Sequence, residues 1–399
     1  MRRASRTREY QLGASTCGLL RYKPSVLQHE LASHYPELRQ IRSRKQLHAS
    51  ALWAQIGDEV EGLLGAVERG DRSDARPLDK LRAVAWNIQR GTHFEKLRDA
   101  LLTDPVLREA DVLMLSEVDL GLGRSHNRNV AKELADALGM SYAFAASYLT
   151  LEDDHLENPD QTENTLALAG SAILSRAPIK RVINADLPEV RDKFSSSEKR
   201  LGKKRAVIAE LEMTRGTIVV AQAHLDSNAS SRQRAQQLSA LLAQARALEV
   251  PRILLGGDLN TTTYNLGSKW GLVKDILHKL LVTGFDGTVT NYMTPDRRYE
   301  LPIFEALREA GFATTGLNDR ALGTMTYDMA DPYTFEKVRK AVGGILARWL
   351  VRRLRTFDGV VRARLDWFAG SALSGRDPRV VHIAGHATDH DAVVIDIDV

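Results

Sequence analysis

Residues 253–260 read Ile-Leu-Leu-Gly-Gly-Asp-Leu-Asn, a short apolar run that ends in an acid and an amide. A run of this length that includes glycines at its end predicts a buried β-strand over 253–257. Asp258 and Asn260 stand two positions apart beyond it, so both side chains can point into one cleft. Both residue types also occur widely in turns, and an ordinary turn is the alternative interpretation.

Three further apolar runs lead to a polar side chain. Asn87 comes after the run 83–86, Glu117 after 112–115 and His224 after 218–221. In open α/β sheets ligands bind where strands end, because the loops there present side chains from a rigid base. One such residue is commonly only a helix cap or a solvated turn, but four in one chain predict a shared site.

Short β-rich runs alternate with helical segments from Leu81 onward. The strand candidates are 83–88, 112–117, 171–175, 206–212, 218–224, 253–257 and 392–397. The helical candidates are 129–138, ended by Gly139, then 230–248, and 303–310, ended by Gly311. This alternation predicts an α/β fold whose strands are covered by helices.

Residues 1 to about 80 differ from the remainder of the chain. Apolar residues recur at helical spacing between 24 and 67, and the stretch 70–77, with its glycine, acids and proline, predicts a linker. We therefore expect an N-terminal helical extension and linker over 1–80 and a main domain over 81–399. The extension is expected to pack on its own domain, as amphipathic helices usually do; a protein partner is the alternative.

Two charged segments interrupt the alternation. Residues 186–205 are polar, end in a basic run and predict a loop. Residues 333–357 predict a basic amphipathic helix, which could meet nucleic acid or a membrane surface. A solvated basic face over a buried apolar stripe is the favoured interpretation, and membrane contact is not favoured.

Composition indicates a soluble globular protein, since 43% of the 399 residues are hydrophobic and 27% are charged. A net charge of +4 and a pI near 9.0 are compatible with an anionic substrate. The single cysteine, Cys17, excludes an internal disulfide framework. The basic start lacks an apolar run, and no stretch reaches the ~20 apolar residues of a membrane span. We expect a cytoplasmic location.

The strand-end motifs resemble those of the endonuclease/exonuclease/phosphatase superfamily, which includes pancreatic deoxyribonuclease, abasic-site endonucleases and neutral sphingomyelinases. The resemblance runs from Ala83 to the C-terminus and depends on six motifs. They are Trp86-Asn87-Ile88, Leu115-Ser116-Glu117-Val118-Asp119, Ala223-His224-Leu225-Asp226, Gly257-Asp258-Leu259-Asn260, Leu365-Asp366-Trp367 and Thr388-Asp389-His390. The resemblance implies a four-layer α/β sandwich of two facing mixed sheets flanked by helices, with residues 81–399 as the catalytic domain.

The resemblance also implies a site for Mg²⁺ or Mn²⁺. Glu117 resembles the principal metal ligand, and Asp389 resembles a second carboxylate near the metal. Asn87 would hold a metal-bound water or a phosphate oxygen through its amide. Such a sparse site suits Mg²⁺, which keeps several waters and is often held by one or two carboxylates plus the phosphate.

Five further residues resemble the family's catalytic groups. Asp258 would orient or deprotonate the attacking water, and Asn260 would donate a hydrogen bond to the phosphate. His390 would stabilise the charged transition state while Asp366 accepts from its other ring nitrogen. His224 would donate to a phosphate oxygen or to the leaving group.

Some positions depart from the family pattern or leave a role open. Ser171 stands where relatives usually have Asn, Thr388 replaces the usual Ser, and Ala392 stands where relatives often have Pro. Arg124, Arg128 and Arg205 either hold phosphate or only secure a loop. None of these arginines is predicted to be catalytic, and none of the departures removes a predicted catalytic group.

The expected activity is metal-dependent hydrolysis of a phosphodiester by in-line attack of water. Nucleic acid is the favoured substrate because of the basic segments 198–205 and 339–355. Aromatic residues make up only 6% of the chain, however, and predict no base-stacking platform. The alternatives are a phospholipid or small-molecule phosphatase of the same superfamily, and a non-catalytic scaffold that has kept the fold.

Overall fold

The computed structural model describes most of the chain, with gaps. The described residues are 26–152, 158, 160–196, 198–261, 269–328, 330, 335–336, 339, 343–354, 359–383 and 387–398. Cys17 and the basic N-terminus therefore lie outside the described residues, as do parts of the predicted 333–357 helix. None of the described helices is long and apolar enough to cross a membrane.

Two β-sheets form the centre of the molecule. The larger sheet runs in the order β1 (Val67–Gly70), β4 (Ser141–Thr150), β5 (Leu168–Ser175), β3 (Val112–Leu120), β2 (Lys80–Arg90), β15 (Ala392–Asp398), β14 (Gly375–Val381), with β7 (Arg200–Gly202) pairing β4. The second runs in the order β13 (Asp366–Ser371), β10 (Ile253–Asp258), β9 (Gly216–His224), β8 (Arg205–Met213), β6 (Ile179–Asp186). A separate ribbon pairs β11 (Met325–Asp328) with β12 (Val360–Ala363).

The helices lie between and beyond these strands. They are α1 (Tyr35–Gln40), α2 (Arg44–His48), α3 (Ala51–Gly65), α4 (Phe94–Thr103), α5 (Val130–Leu138), α6 (Ser231–Arg246), α7 (Lys269–Asn291), α8 (Leu301–Glu309) and α9 (Gly344–Leu354). The predicted start and end of α5 are confirmed, because the Asn129 side chain accepts from the Lys132 N–H and Gly139 adopts a left-handed φ of 64°. Helix α7 contains a kink at Gly284.

Alternating side chains on the strands divide the core into layers. On β2, Leu81, Ala83 and Ala85 face the second sheet, whereas Val84 and Trp86 belong to the core under the helices. Successive side chains of a strand point to opposite faces, so a strand that is apolar on both faces is covered on both sides. The molecule is therefore a helix–sheet–sheet–helix sandwich, and the predicted four-layer fold of two mixed sheets is confirmed.

The N-terminal helices pack on the main domain. Leu31, Leu38, Leu47 and Ile56 are buried in the same core as the helix-facing side of the larger sheet. The helical pattern predicted to reach residue 67 ends at Gly65, and Val67–Gly70 forms an edge strand against β4 instead. A strand of four residues with two charges shows no apolar alternation, so the sequence did not reveal it. The division of the chain at residue 80 stays a prediction.

The other charged segment contains a strand as well. Residues 186–205 were predicted to be a loop, but Arg200–Gly202 pairs with residues 148–150 of β4. Of the predicted 333–357 helix, the structure describes α9, in which Ile345 and Trp349 are exposed. The predicted strands are each present, extended by one to three residues at an end.

Candidate active site

Sheet register places three predicted site residues in one row. Asp258 lies opposite His224 in the parallel pairing of β10 with β9, and opposite Asp366 in the antiparallel pairing of β10 with β13. Neighbouring strands lie about 4.8 Å apart, so register alone brings these three residues together. Gly257 makes the approach possible, because its φ is 139° and a Cβ there would lie 2.1 Å from the Ala223 carbonyl oxygen.

Asp258 is the hydrogen-bonding centre of the site. Asn87 Nδ2 and Asn260 Nδ2 each donate to its Oδ2 at 3.2 Å, and the Asn260 N–H donates to its Oδ1 at 2.7 Å. Burial and the nearby charge of Asp366 raise the pKa of Asp258 to about 7, although His390 opposes the shift. Asn260 adopts a left-handed φ of 50°, which suits Asn better than most residues.

His390 and Asp366 form a buried pair. Nδ1 of His390 lies 2.8 Å from Oδ2 of Asp366, and both side chains are almost fully buried. Burial lowers the pKa of His390, but the charges of Asp366 and Asp258 outweigh it and raise the pKa well above its usual value. His390 is therefore an imidazolium at neutral pH. The Thr324 hydroxyl accepts the N–H of Asp366 at 3.0 Å and so fixes the carboxylate's backbone.

Thr388 accounts for the departure from the family's usual serine. Its hydroxyl donates to the carbonyl of Asn87 at 2.8 Å and accepts the N–H of His390 at 3.3 Å. A serine hydroxyl in this position has the same donor and acceptor capacity. Trp86 adds a second link, since its indole N–H donates to the carbonyl of His390 at 2.9 Å.

Glu117 projects from an irregular point in β3. Its φ is 53°, and the pairing of β3 with β5 shifts register between Ser116 and Val118. Bulges of this kind re-aim side chains beside active sites, and a left-handed non-glycine residue costs about 1–3 kcal/mol. Oε1 of Glu117 lies 3.8 Å from Nε2 of His224, and Oε2 lies 3.7 Å from Nε of Arg90.

Electrostatics separate the protonation states in this cluster. Burial raises the pKa of Glu117, but the positive charges around it, chiefly that of Arg90, outweigh this effect and bring the pKa well below its usual range. Burial, then the charge of Lys204, lowers the pKa of His224 to about 3. Glu117 is therefore an ionised carboxylate at neutral pH, while His224 is a neutral imidazole that can still donate one N–H.

The donor set at Glu117 fits a hard divalent cation. The ionised carboxylate of Glu117 lies 3.8 Å from His224, which lies 3.8 Å from Asp258, and the Asn87 amide donates to Asp258. Carboxylate and amide oxygens are ligands that Mg²⁺ prefers. A second group of potential ligand atoms belongs to Asp258, Asp366 and His390, and these atoms lie within 4.8 Å of one another. We favour a metal site at Glu117. Nδ1 of His390 already binds Oδ2 of Asp366, so the second group has fewer ligand atoms available for a metal ion.

Asp389 is placed less directly. It is half-buried beside His390 and contributes to raising the pKa of that imidazole. In the part of the chain that the structure describes, no hydrogen bond or ion pair joins Asp389 to Glu117. Its role as a metal ligand stays a prediction.

Several groups at the site were not predicted to belong to it. A pocket beside Glu117 and His224 is also lined by Arg90, Asp119, Arg124, Ser147, Tyr148, Ala169, Gly170, Ser171, Arg200 and Lys204. Arg90 could have been found, because it follows Asn87 by three residues at the end of β2. Arg200 and Lys204 come from the segment predicted to be a loop. Its basic run 198–205 was noted as a possible contact for nucleic acid, but no pattern placed these residues beside Glu117.

The arginines whose roles were left open, Arg124, Arg128 and Arg205, all have acidic partners. Arg124 donates from Nε and Nη2 to the two carboxylate oxygens of Asp119 at 2.7 and 2.9 Å, and both side chains are buried. Arg205 donates to Oδ1 of Asp186 at 2.7 Å. These contacts favour the interpretation that Arg124 and Arg205 secure the backbone around the site.

A four-layer sandwich with acids, amides and histidines gathered at its strand ends defines a class of α/β phosphoester hydrolases. The chain belongs to the endonuclease/exonuclease/phosphatase family, whose model matches residues 84–390. Members of this family are hydrolases, either nucleases or phosphatases, and they typically depend on a divalent metal ion. The membership of this superfamily that the six motifs predicted is thereby confirmed.

Several solved structures are similar to the chain at low sequence identity. The endonuclease/exonuclease/phosphatase from Beutenbergia cavernae is 18% identical with a TM-score of 0.50, covering 80% of this chain and 72% of that one. A 3'-5' exonuclease from Neisseria meningitidis is 15% identical with a TM-score of 0.44, covering 80% and 100%. The endonuclease/exonuclease/phosphatase from Bacteroides vulgatus is 11% identical with a TM-score of 0.47, covering 80% of this chain and 99% of that one. No curated protein matches the chain.

Proposed function

We propose that this protein is a divalent-metal-dependent phosphodiesterase that cleaves a phosphodiester by attack of water, with nucleic acid as the favoured substrate class. The observation that carries the proposal is the row formed by His224, Asp258 and Asp366, with His390 bound to Asp366 at 2.8 Å. A buried base, a neutral hydrogen-bond donor and an imidazolium lie together there, as in-line hydrolysis requires.

Asp258 is the proposed general base. A pKa of about 7 keeps a substantial fraction of the carboxylate ionised at neutral pH while making it a better proton acceptor than an ordinary aspartate. Asn87 and Asn260 orient it through their amides. The attacking water would give its proton to Asp258, and the oxygen would form the new bond to phosphorus opposite the leaving group.

The two histidines have different proposed roles because they differ in charge. His390 is protonated at neutral pH and opposes the negative charge that grows on the phosphoryl oxygens in the transition state. His224 is neutral and donates a hydrogen bond to a phosphate oxygen or to the leaving group. Asp366 fixes the ring of His390 and holds its proton there.

Glu117 and Asn87 are the proposed metal ligands, with Asp389 as a second carboxylate nearby. Mg²⁺ or Mn²⁺ held there would polarise the phosphoryl oxygen and shield charge on the leaving group. The strained backbone of Glu117 supports this role, because such conformations cluster at ligand-binding sites.

The test is a substrate panel with purified full-length protein. Intact and abasic DNA, RNA, sphingomyelin, inositol phosphates and bis(p-nitrophenyl) phosphate are incubated with Mg²⁺, Mn²⁺ or a chelator. We expect hydrolysis of a diester that the chelator abolishes and that Asp258→Asn and Glu117→Gln each lower strongly. Turnover unaffected by the chelator or by both variants would refute the proposal. No turnover on any substrate, together with a stable protein partner, would favour the scaffold alternative.

A further inference from the structure

The pocket beside Glu117 and His224 has a cationic wall that the proposed chemistry does not use. Arg90, Arg200 and Lys204 line this pocket together with the buried pair of Arg124 and Asp119. Ser147, Tyr148 and Ser171 add polar groups to the same lining. The pocket therefore joins a region rich in positive charge directly to the proposed metal ligand.

One carboxylate organises the arginines of this wall. Oε1 of Glu198 accepts from Nη1 of Arg124 at 3.1 Å and lies 3.4 Å from Nη2 of Arg90. Oε2 of the same residue pairs with Nη2 of Arg200. Asp119 also pairs with Arg124, and Glu117 lies 3.7 Å from Arg90, so three carboxylates face the three guanidinium groups. The excess positive charge of the lining therefore comes from Lys204. Fixed guanidinium groups of this kind suit the planar recognition of phosphate.

Lys204 adds a cation with no acidic partner at close range. The charges of Asp226, Glu117 and Asp258 act on its ammonium, but within the described ranges it forms no ion pair. Its neighbour Lys203 points elsewhere, since its Nζ lies 2.6 Å from Oδ2 of Asp186. Burial lowers the pKa of Lys204 to about 8, so it is mostly charged at neutral pH. A half-buried ammonium that forms no ion pair is destabilising unless an anion binds beside it.

We propose that Lys204, with Arg90 and Arg200, binds a second phosphate group of the substrate next to the phosphoester held at Glu117 and His224. This inference rests on the proposed function and narrows its substrate class to phosphodiesters that carry a neighbouring phosphate. Both a nucleic-acid strand and a phosphorylated inositol headgroup supply that chemistry.

A binding experiment tests the subsite without requiring turnover. The affinities of inorganic phosphate and pyrophosphate for the full chain are measured by calorimetry, for wild type, Lys204→Gln, Lys204→Arg and the matched control Lys203→Gln. We expect Lys204→Gln to weaken pyrophosphate binding about 10-fold or more, with a smaller effect on phosphate. Lys203→Gln and Lys204→Arg should retain most of the preference. Equal weakening by Lys203→Gln and Lys204→Gln, or no weakening by Lys204→Gln, would overturn the subsite.

Kinetics then identify the source of the second phosphate. A thymidine dinucleotide with or without a terminal phosphate forms one pair of substrates, and glycerophosphoinositol with or without a ring phosphate forms the other. We expect wild type to favour the phosphorylated member of one pair through KM, and Lys204→Gln to remove that preference while Lys203→Gln keeps it. A preference that survives Lys204→Gln contradicts the inference alone. If no diester is cleaved, the proposed function fails, and pyrophosphate binding still decides the subsite.

Discussion

Replacing Asp366 with asparagine tests the central row of the site. Asp366 is fully buried, lies 2.8 Å from the ring of His390 and faces Asp258 across the β10–β13 pairing. Its negative charge raises the pKa of both neighbours. Asparagine keeps the size of the side chain but removes that charge, so the substitution should lower both pKa values at once.

The expected loss of activity follows from the role of His390. With Asp366 neutral, burial disfavours the imidazolium, and the transition state loses a pre-positioned positive charge. Loss of one such group typically costs about 10²–10³-fold in kcat, or ~2.7–4 kcal/mol. Activity requires Asp258 without its proton and His390 with its proton. Both limbs of the pH–rate profile should therefore move to lower pH in Asp366→Asn.

The assay is the pH dependence of kcat on whichever diester proves to be a substrate, at saturating metal. Asp396→Asn is a suitable control, because it makes the same change in the pair of Asp396 with Arg82, 2.6 Å apart in the larger sheet. The control should keep the wild-type profile. A lowered kcat with unmoved limbs would show that Asp366 has only a structural role, and an unchanged kcat would refute the row as the catalytic centre.

Three further predictions concern the metal, the arginine wall and the N-terminal segment. In a metal titration, Glu117→Gln should raise the Mg²⁺ concentration needed for half-maximal activity. Changing a residue that only orients a metal ligand typically weakens metal binding about 10–100-fold, and we expect a larger effect for the ligand itself. Burial raises the pKa of Glu198, but Arg200 and Arg90 outweigh it and lower the pKa to about 2, below the ~4.3 of an unfolded chain. The ionised Glu198 carboxylate therefore stabilises the folded protein fully above about pH 4.3. In urea titrations at pH 7, the free energy of unfolding of Glu198→Gln should be roughly 2–3 kcal/mol lower than that of wild type. This difference should shrink as the pH falls toward 2. Glu68→Ala should destabilise the protein by about 1–3 kcal/mol for each buried donor left unpaired, including the Leu27 N–H at 2.9 Å, whereas the exposed change Glu61→Ala should not.

The residues at strand ends could be predicted because their signal is local. An apolar run followed by an acid, amide or imidazole marks the end of a buried strand, and sheet pairing then brings those ends together. Register did so for His224, Asp258 and Asp366. The assignment of individual roles required the resemblance to a family, since spacing alone does not distinguish a base from a metal ligand.

The cationic wall could not be predicted in the same way. Glu198 and Arg200 lie in a charged stretch without periodicity, and Arg90 and Arg124, which pair with Glu198, are more than seventy positions away along the chain. The short strand Arg200–Gly202 fixes that stretch against β4, but three residues give no strand pattern. The edge strand Val67–Gly70 escaped prediction for the same reason.

The protonation states follow from the way the sheet places like charges. Asp258 and Asp366 lie opposite each other on adjacent strands in a buried site, and burial together with the charge of Asp366 raises the pKa of Asp258. The imidazolium of His390 opposes that rise in the pKa of Asp258 without cancelling it, and both carboxylates raise the pKa of His390. The raised pKa of the proposed general base, Asp258, is thus a consequence of strand register. A substitution that removes the charge of Asp366 or His390 should therefore change the pKa of Asp258 as well as that of its direct partner.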